Sequence, residues 1–242
     1  WYTYEYDANN RLIQRTDYYD NGQEIVSEVN QQYTYDSNGN EASHTYYDQR
    51  VVYEYQKVER TPVSAIFRDI SAGAWYTEAV QYVYDNGIMK GMEDSTFAPG
   101  ISMTRAMVAQ IMYAQAGSPA VSGNMPFTDV PSGKWYYAAI LWANQNGVIA
   151  GMGDGTFAPN DNITRQEYAA ILYRYENSPA VSGSLDFTDA NTVSSWAKNA
   201  MLWANQNGII NGTVDNGVTK LDPKGTATRA QSAVILMGYL EK

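Results

Sequence analysis

Three arginines share one local context, because each follows a threonine and begins an amphipathic helical pattern. They are Arg105, Arg165 and Arg229. At the first helical position, the positive end of the helix dipole disfavours a cation by about 0.3 to 1 kcal/mol, so stability alone would place an acidic residue there. A guanidinium beside the free N–H groups of a helix N-terminus is, however, a good receptor for a carboxylate or phosphate. These arginines are therefore the leading candidates for ligand contact.

The other residues of this motif have a structural explanation. Thr164-Arg-Gln-Glu167 is a capping box, in which the threonine hydroxyl accepts from the third helical amide and the glutamate accepts from the threonine amide. Thr228-Arg-Ala-Gln231 fits the same rule. Thr104-Arg-Ala-Met107 lacks the return bond, because a thioether cannot replace a carboxylate or an amide, and this predicts a weaker helix start. We assign these threonine, glutamate and glutamine residues to capping.

One aspartate comes before the first predicted helix of each copy, and the set is Asp69, Asp129 and Asp189. Capping of that helix is the simplest interpretation. Each aspartate could instead neutralise one of the three arginines, since structural ion pairs also collect at such places. Acceptance of hydrogen bonds from sugar hydroxyls is a third option. The aspartates therefore stay candidates for ligand binding.

Tryptophans and glycines recur in the same register. The tryptophans Trp75, Trp135 and Trp196 stand near the start of a helical pattern, which favours packing in the core or at its rim. An exposed one would offer a flat apolar face to a sugar ring. The glycines Gly91, Gly151 and Gly212 are required by a turn, and a missing side chain also lets a ligand approach the backbone. Both sets are secondary candidates.

These residues belong to a long-range repeat. Phe67-Arg-Asp69 recurs as Phe127-Thr-Asp129 and again as Phe187-Thr-Asp189, at a spacing of 60 residues. The connector Ser118-Pro-Ala-Val-Ser-Gly123 recurs letter for letter at residues 178–183. Chance does not produce this register, so the chain contains three copies of one unit.

Each copy has the pattern of a helix, a loop and a second helix. In copy two, an apolar stripe at helical spacing follows Trp135 and ends at Gly147, which suits a C-cap because glycine accepts the left-handed conformation. A loop rich in glycine follows, in which Phe157 is available to fill the core. A second apolar stripe begins after Thr164. The pattern predicts a mainly α architecture for residues 67–242.

Residues 1–60 have a different pattern. Aromatic and β-branched residues alternate at a period of two in Tyr2–Tyr6, Tyr33–Tyr35 and Val51–Tyr55. Turn signals lie between these segments, at residues 9–10, 20–22 and 36–39. The segment is therefore predicted to form a small all-β meander.

Composition excludes several classes of function. Cysteine is absent and His44 is the single histidine, which excludes thiolate metal sites and cysteine nucleophiles and disfavours a zinc site or a serine triad. A net charge of -10 opposes nucleic-acid binding, so an anionic ligand would have to be held by a few placed cations. No apolar run is long enough to span a bilayer. Any signal peptide is expected to have been removed or to lie outside the sequence. We expect no metal and no cofactor.

The repeated motifs resemble those of a known family. Phe-x-Asp, Trp-x3-Ala, Gly-x3-Gly, Asp-Gly-Thr-Phe-x-Pro and Ile-Thr-Arg-x-Glu, in this order, are similar to S-layer homology domains over residues 67–242. The Tyr-x-Tyr-Asp-x-Asn-Gly pattern of residues 1–60 resembles, in about two copies, the tyrosine-aspartate repeats of bacterial surface proteins. The expected domains are a spacer at 1–60 and repeats at 61–120, 121–180 and 181–242.

The first resemblance implies a pseudo-threefold bundle that anchors exported proteins, without a covalent bond, to acidic and often pyruvylated secondary cell wall polymers. In that family the arginine of the Thr-Arg motif contacts the acidic sugar in a groove between adjacent units. This implies ligand roles for the three arginines, with the aspartate, tryptophan and glycine sets as groove candidates. It also implies a location in the bacterial cell wall or S-layer, with possible surface-layer neighbours as partners.

The copies differ from the family pattern to different extents. Copy one has Met107 where the family has glutamate, and copy three has a longer loop at residues 215–223 with Leu221 in place of the phenylalanine. Copy two is the nearest to the pattern, so the groove that holds Arg165 is expected to be the most competent.

Two other functions stay open at this point. The repeats could mediate protein–protein contacts of a surface lattice, with the arginines in internal ion pairs. The chain could also be a fragment of a wall hydrolase, although no isolated pair of carboxylates stands out and a threefold repeat suits an anchor better than a catalyst. We expect no enzymatic activity.

Overall fold

The computed structural model describes residues 2–9, 11–20, 25–35, 39, 41–46, 49–52, 60–215 and 217–242. The chain divides into two compact units, Trp1–Arg60 and Thr61–Lys242. Each unit has its own secondary structure and is described separately below.

The first unit contains an antiparallel sheet with the strand order β1-β2-β3-β4-β5. Its strands are Tyr2–Tyr6, Leu12–Asp20, Ile25–Tyr35, Glu41–Tyr46 and Gln49–Val52. Neighbours in the sequence are neighbours in the sheet, so the predicted meander is confirmed. The turn signals at residues 9–10, 20–22 and 36–39 lie partly outside the described residues. Tyr53 and Tyr55 lie outside them entirely.

The second unit is mainly helical, as predicted. Its α-helices are α1 Val63–Ile66, α2 Thr77–Asp85, α3 Arg105–Gln115, α4 Tyr137–Gln145, α5 Arg165–Tyr175, α6 Lys198–Gln206 and α7 Arg229–Leu240. The longer loop of copy three forms a two-stranded hairpin, β6 Thr213–Asp215 and β7 Val218–Lys220. Within the described part of the chain, no helix is both long and apolar enough to cross a membrane.

Helices of neighbouring repeats pack against each other around the bundle. The second helix of each copy packs against the first helix of the next copy, which pairs α3 with α4, α5 with α6 and α7 with α2. The last pair joins copy three to copy one and closes the ring. Because each helix buries its apolar face against a different repeat, the three copies form one core.

A cycle of backbone hydrogen bonds links the segments that precede the second helices. The Met103 amide donates to the Ala227 carbonyl at 2.8 Å, the Ala227 amide to the Ile163 carbonyl at 3.0 Å, and the Ile163 amide to the Met103 carbonyl at 2.9 Å. These three residues are buried. The cycle fixes the start of α3, α5 and α7, and with them the three motif arginines, about one pseudo-threefold axis.

Local features of the repeats agree with the sequence. Phe157 is fully buried, and Leu221 fills the equivalent position in copy three. Gly147 has φ +67°, the left-handed conformation expected of a helix C-cap. The capping boxes of α5 and α7 are present, whereas Thr104 caps α3 through the Met107 amide alone, at 3.3 Å. The weaker start predicted for α3 thus has a structural basis in the missing return bond.

Candidate ligand-binding grooves

The side chain of each motif arginine contacts the neighbouring repeat. Each Nε donates to a loop carbonyl of the following copy: Arg105 to Phe157 at 2.9 Å, Arg165 to Leu221 at 3.0 Å and Arg229 to Phe97 at 2.7 Å. The three residues are only 4 to 5% exposed. Each arginine therefore connects two neighbouring repeats from within the bundle.

The helix N-termini are not free for an anion, which corrects one expectation. The Arg105 amide donates to the Asp161 carbonyl, the Ala106 amide donates to the Pro159 carbonyl, and the Met107 amide donates to the Thr104 hydroxyl. The first amides of α5 and α7 are occupied in the same way by loop carbonyls of the following repeat. At these helix starts the backbone donors are already hydrogen-bonded between repeats. The guanidinium groups are therefore the donors that can contact a ligand there.

The aspartates have a different task from the two structural roles considered first. The Asp129 carboxylate accepts from the Phe157 amide at 2.8 Å and from the Ala158 amide at 2.7 Å. Asp69 and Asp189 hold the corresponding loops of their copies through the same pair of amides. Within the described chain, none of the three caps a helix or forms a salt bridge to a motif arginine, so both interpretations are wrong.

This clamp orients the carbonyl that holds the arginine. Ala158, which is bound by Asp129, has φ +56°, a left-handed conformation that is unfavourable for a residue with a side chain. Phe157, just before it, presents its carbonyl to Arg105. In copy three, burial raises the pKa of Asp189, but the Leu221 and Asp222 amides outweigh it, so the pKa lies below its usual value. The aspartates thus position the arginines through the loop.

The glycines are required by packing. A side chain at Gly91 would place its Cβ 2.6 Å from Phe67 Cε1, and one at Gly212 would place it 2.9 Å from Phe187 Cε1. At Gly151 the ring of Phe127 is closer still. The phenylalanine of the Phe-x-Asp motif therefore occupies the space that the glycine leaves, which links two motifs that lie far apart in the sequence.

The tryptophans are not core residues, so of the two favoured positions, in the core or at its rim, the first is wrong. Trp75 is 67% exposed, Trp135 is 59% exposed and Trp196 is 53% exposed. They lie in the turns or 3₁₀ segment before α2, α4 and α6, so they precede the buried stripe of each helix. Trp75 and Trp135 rest edge-on against Tyr76 and Tyr136, at centroid distances of 5.3 and 5.2 Å. Each ring leaves apolar surface open to solvent.

One groove brings Arg165 and Trp75 together. It has a volume of about 520 Å³ and lies against the loop and second helix of copy three. We call it the Trp75 groove; its lining includes Trp75, Arg165, Asn211, Gly212, Gln231 and Ile235. Each copy contributes to it: copy one the tryptophan, copy two the arginine, and copy three the loop and α7.

A second groove repeats this construction one step around the ring. It has a volume of about 260 Å³, and we call it the Trp196 groove; its lining includes Trp196, Arg105, Gly151, Met152, Glu167 and Arg174. Here copy one gives the arginine, copy two the loop and helix, and copy three the tryptophan. The aspartates line neither groove, so their predicted contact with a ligand would have to be indirect.

The guanidinium groups differ in their partners. Arg105 donates from Nη1 to Glu167 Oε1 at 3.0 Å and from Nη2 to the Ala150 carbonyl at 2.9 Å, and it lies over the Phe157 ring. Arg229 donates from Nη2 to the Lys90 carbonyl at 2.6 Å. Among the described residues, Arg165 has one hydrogen-bond acceptor for its side chain, the Leu221 carbonyl, which accepts from Nε. The terminal nitrogens of Arg165 are thus available in the Trp75 groove.

Glu167 and Gln231 were assigned to capping alone, yet both line a groove. One oxygen of Glu167 completes the capping box with Thr164 at 2.8 Å, and the other bonds Arg105. The sequence contains no local sign of the second role, because Glu167 and Arg105 come from different repeats. The groove that holds Arg165 is built on the loop of copy three and not on that of copy two; that it is the most competent groove stays a prediction.

The family comparison agrees with this architecture. The model of the S-layer homology domain matches residues 66–107, 126–169 and 186–233. Similar proteins include an amylopullulanase of Thermoanaerobacterium thermosulfurigenes, 34% identical over 82% of this chain and 10% of its own length. They also include the surface-layer 125 kDa protein of Lysinibacillus sphaericus, 36% identical over 68% of this chain and 14% of its own length.

The S-layer protein sap of Bacillus anthracis is 32% identical over 72% of this chain and 21% of its own length. The chain therefore spans between a tenth and about a fifth of these relatives. They share this module although one has the name of an enzyme and two have names of surface-layer proteins. With the family model matching more than half of its residues, the chain belongs to the S-layer homology domain family, a cell-wall-associated module of secreted surface proteins.

Proposed function

We propose that this chain is a non-covalent anchor that binds an acidic, pyruvylated secondary cell wall polymer in the grooves between its repeats. The observation that carries the proposal is the repeated pairing of a buried arginine with an exposed tryptophan, each from a different copy. A carboxylated sugar needs both groups, one for its charge and one for its ring.

The two groups act at different depths. A guanidinium away from bulk water interacts more strongly with a carboxylate than an exposed one, and its planar N–H groups match the two carboxylate oxygens. The flat face of a tryptophan at the rim can cover the apolar face of a sugar ring. A ligand seated in the groove would therefore have its acidic substituent at the floor and its ring at the rim.

The charge of the whole molecule is compatible with such a ligand. The chain has a net charge of -10, which repels polyanions at long range. At physiological ionic strength this repulsion is screened beyond about 8 Å, whereas a contact inside a groove is screened much less. Local arginines thus decide binding, and a polymer that occupies several grooves is retained more strongly than a single sugar.

We propose that the chain itself is non-catalytic. The module is shared by relatives with the name of an enzyme and by relatives with the names of surface-layer proteins, which favours a role common to both over catalysis. Glycan cleavage by residues 1–242 would contradict this, and it can be checked by incubating the chain with purified peptidoglycan and wall polymer. We expect no release of reducing ends.

The anchor proposal is tested by co-sedimentation of the chain with cell wall sacculi, with and without removal of the pyruvate ketals. Trp75→Ala combined with Trp196→Ala should reduce retention at least about tenfold, because each groove loses its apolar platform without disturbing the core. Tyr6→Ala is the matched control, since Tyr6 is an exposed aromatic of the β unit, with 54% of its surface accessible. We expect Tyr6→Ala and wild type to be retained equally.

Two results would contradict the proposal. One is retention that the double tryptophan variant does not change, and the other is a wild-type chain that native sacculi do not retain. The second result, together with self-association in the absence of polymer, would favour the surface-lattice function. Retention that survives ketal removal would keep the anchor and exclude the acidic substituent as its determinant.

A further inference from the structure

Copy three departs from copy two in the loop that forms one wall of its groove. The loop has eight residues in copy three, 213–220, and five in copy two, 152–156. The added residues form the hairpin of β6 and β7, in which three pairs of residues lie opposite each other across antiparallel strands. Thr213 and Val214 of this hairpin line the Trp75 groove. The hairpin therefore adds a wall that the shorter loop does not give to the Trp196 groove.

Val214 gives this wall an apolar surface. It is 75% exposed, which is the largest value for a large apolar side chain in the described part of the chain, and Trp75 follows at 67%. Both residues line the same groove. Single exposed apolar side chains are normal on a protein surface, but two that line one concave site offer apolar area that a ligand would remove from water. The Trp75 groove thus has a second apolar contact in addition to the tryptophan.

The second helix also leaves more room in this groove. Arg174 lines the Trp196 groove from the last turn of α5. The equivalent residue of α7 is Gly238, which has no side chain to fill the corresponding space. The volume of the Trp75 groove is about 520 Å³, against about 260 Å³ for the Trp196 groove. Since Arg165 and Trp75 account for the contacts proposed for one acidic sugar, the additional volume is available to a further unit of the polymer.

The face of the hairpin that includes Val214 suits an uncharged sugar. Side chains alternate between the two faces of a strand pair, so Val214 shares its face with Thr219, the residue opposite it. Val218 and Lys220 belong to the other face. A valine beside a threonine hydroxyl can contact the C–H groups and the hydroxyls of a neutral sugar, but it gives a carboxylate no cationic partner. The hairpin therefore favours an uncharged unit over a second acidic one.

Resting on the proposed function, we infer that the hairpin of β6 and β7 forms a second subsite in the Trp75 groove, for the uncharged sugar next to the acidic one in the polymer. Arg165 and Trp75 hold the acidic sugar, and Val214 packs on its neighbour. The Trp196 groove, which has the short loop and Arg174, holds the acidic sugar alone. The two grooves therefore differ in the length of polymer that each binds.

Two valines of the hairpin provide a matched pair of variants. Val214→Ser removes the apolar group from the face that lines the groove, and Val218→Ser makes the same change on the other face, at a residue that is also exposed. A third variant replaces residues 213–220 with the sequence of residues 152–156, which converts the loop of copy three into that of copy two. Thermal unfolding of each variant serves as the folding control.

The probes are two size-separated fragments of the purified wall polymer, namely the acidic monosaccharide and the disaccharide that adds its uncharged neighbour. The indole N–H signals of Trp75 and Trp196 in ¹H–¹⁵N spectra report the two grooves separately. In wild type and in Val218→Ser, the disaccharide should bind at Trp75 at least about fivefold more tightly than the monosaccharide, with less than about a twofold gain at Trp196. Val214→Ser and the loop replacement should each lower the gain at Trp75 below about twofold.

Three results would overturn the inference and leave the anchor standing. They are an equal gain at both indoles in wild type, a gain at Trp75 that Val214→Ser lowers no more than Val218→Ser does, and indoles that do not shift although sacculi retain the chain. If the replaced loop prevents folding, the comparison of the two valine variants decides the result. Indoles that do not shift, together with no retention on sacculi, would overturn both the inference and the proposed function.

Discussion

At the scale of single residues, the motif arginines are held at an energetic cost. Burial lowers the pKa of Arg165, although Asp222 and Asp189 favour its charged form, and a guanidinium does not lose its proton in a protein. Carbonyl hydrogen bonds offset only part of the cost of desolvating such a cation. Unfavourable groups kept at equivalent places in a stable fold are typical of functional positions. Stability alone therefore explains the residues around the arginines, but it does not explain the arginines themselves.

Gly151 shows the opposite case, a groove residue whose identity is fixed by packing. Gly151→Ala would press a methyl group into the Phe127 ring and the Thr156 carbonyl, so we expect the free energy of unfolding to fall by about 1 to 3 kcal/mol. Urea unfolding followed by circular dichroism measures this change. Gly73→Ala is the control, because no atom lies within 4 Å of its added Cβ, and it should change stability by less than about 0.5 kcal/mol. Equal effects of the two variants would contradict the packing argument.

At the scale of elements, each second helix begins at a junction of two repeats. Its first amides bond loop carbonyls of the following copy, and its threonine caps the third amide. The helix start is thereby tied to a tertiary contact, which explains why an arginine is tolerated there despite the helix dipole. Helices α5 and α7 gain a return bond to the threonine amide that α3 lacks.

Helix α3 can be given the missing bond. Met107→Gln and Met107→Glu would each supply an acceptor for the Thr104 amide, so each should exceed Met107→Ala in unfolding free energy by about 0.5 to 1.5 kcal/mol. Met107→Ala is the reference because it loses the same packing of the methionine without gaining the bond. Thermal unfolding and hydrogen exchange of the Thr104 amide measure the effect. A Thr104 amide that exchanges equally fast in all three variants would contradict the assignment.

At the scale of the whole molecule, the helical unit is a closed ring of three interlocked repeats. Helix α2 obtains its partner from copy three, and the Met103 amide donates to the Ala227 carbonyl. An open array of repeats can lose a terminal copy and keep the rest. In a closed ring, removal of one copy exposes a face on each of the two remaining copies. It also removes two of the three hydrogen bonds of the cycle.

Deletion of residues 181–242 should therefore abolish cooperative unfolding of the remaining repeats, whereas the full chain should show one transition for its helical signal. Calorimetry and circular dichroism at 222 nm would record this. As a control, a Gly/Ser insertion in the connector at residues 178–183 loosens the tether but keeps the ring, and doubling the connector costs only about 0.6 kcal/mol. A cooperative two-repeat fragment would show that ring closure is not needed for folding.

Residue patterns were sufficient to predict the local structure. The capping boxes, the Gly147 C-cap, the buried Phe157, the β meander and the helices of each copy follow from the hydrogen-bonding capacity and apolar spacing of nearby residues. Burial of the tryptophans in the core was predicted wrongly, because Trp75, Trp135 and Trp196 precede their helices and so lie outside the buried stripe. A helical pattern does not show where the first turn begins with enough accuracy to place such a residue.

Only the tertiary structure decided which residues meet in a groove. Arg165 lies with Trp75 and Gln231, and Arg105 with Trp196 and Glu167, so each groove combines three copies. The sequence by itself determined the family, the repeat and the set of candidate residues, since these depend on residue type and spacing along the chain. The partners of these residues depend on which helices of neighbouring copies pack together in the ring. Because the repeated sequence is similar in each copy, it does not indicate which copy a side chain will contact.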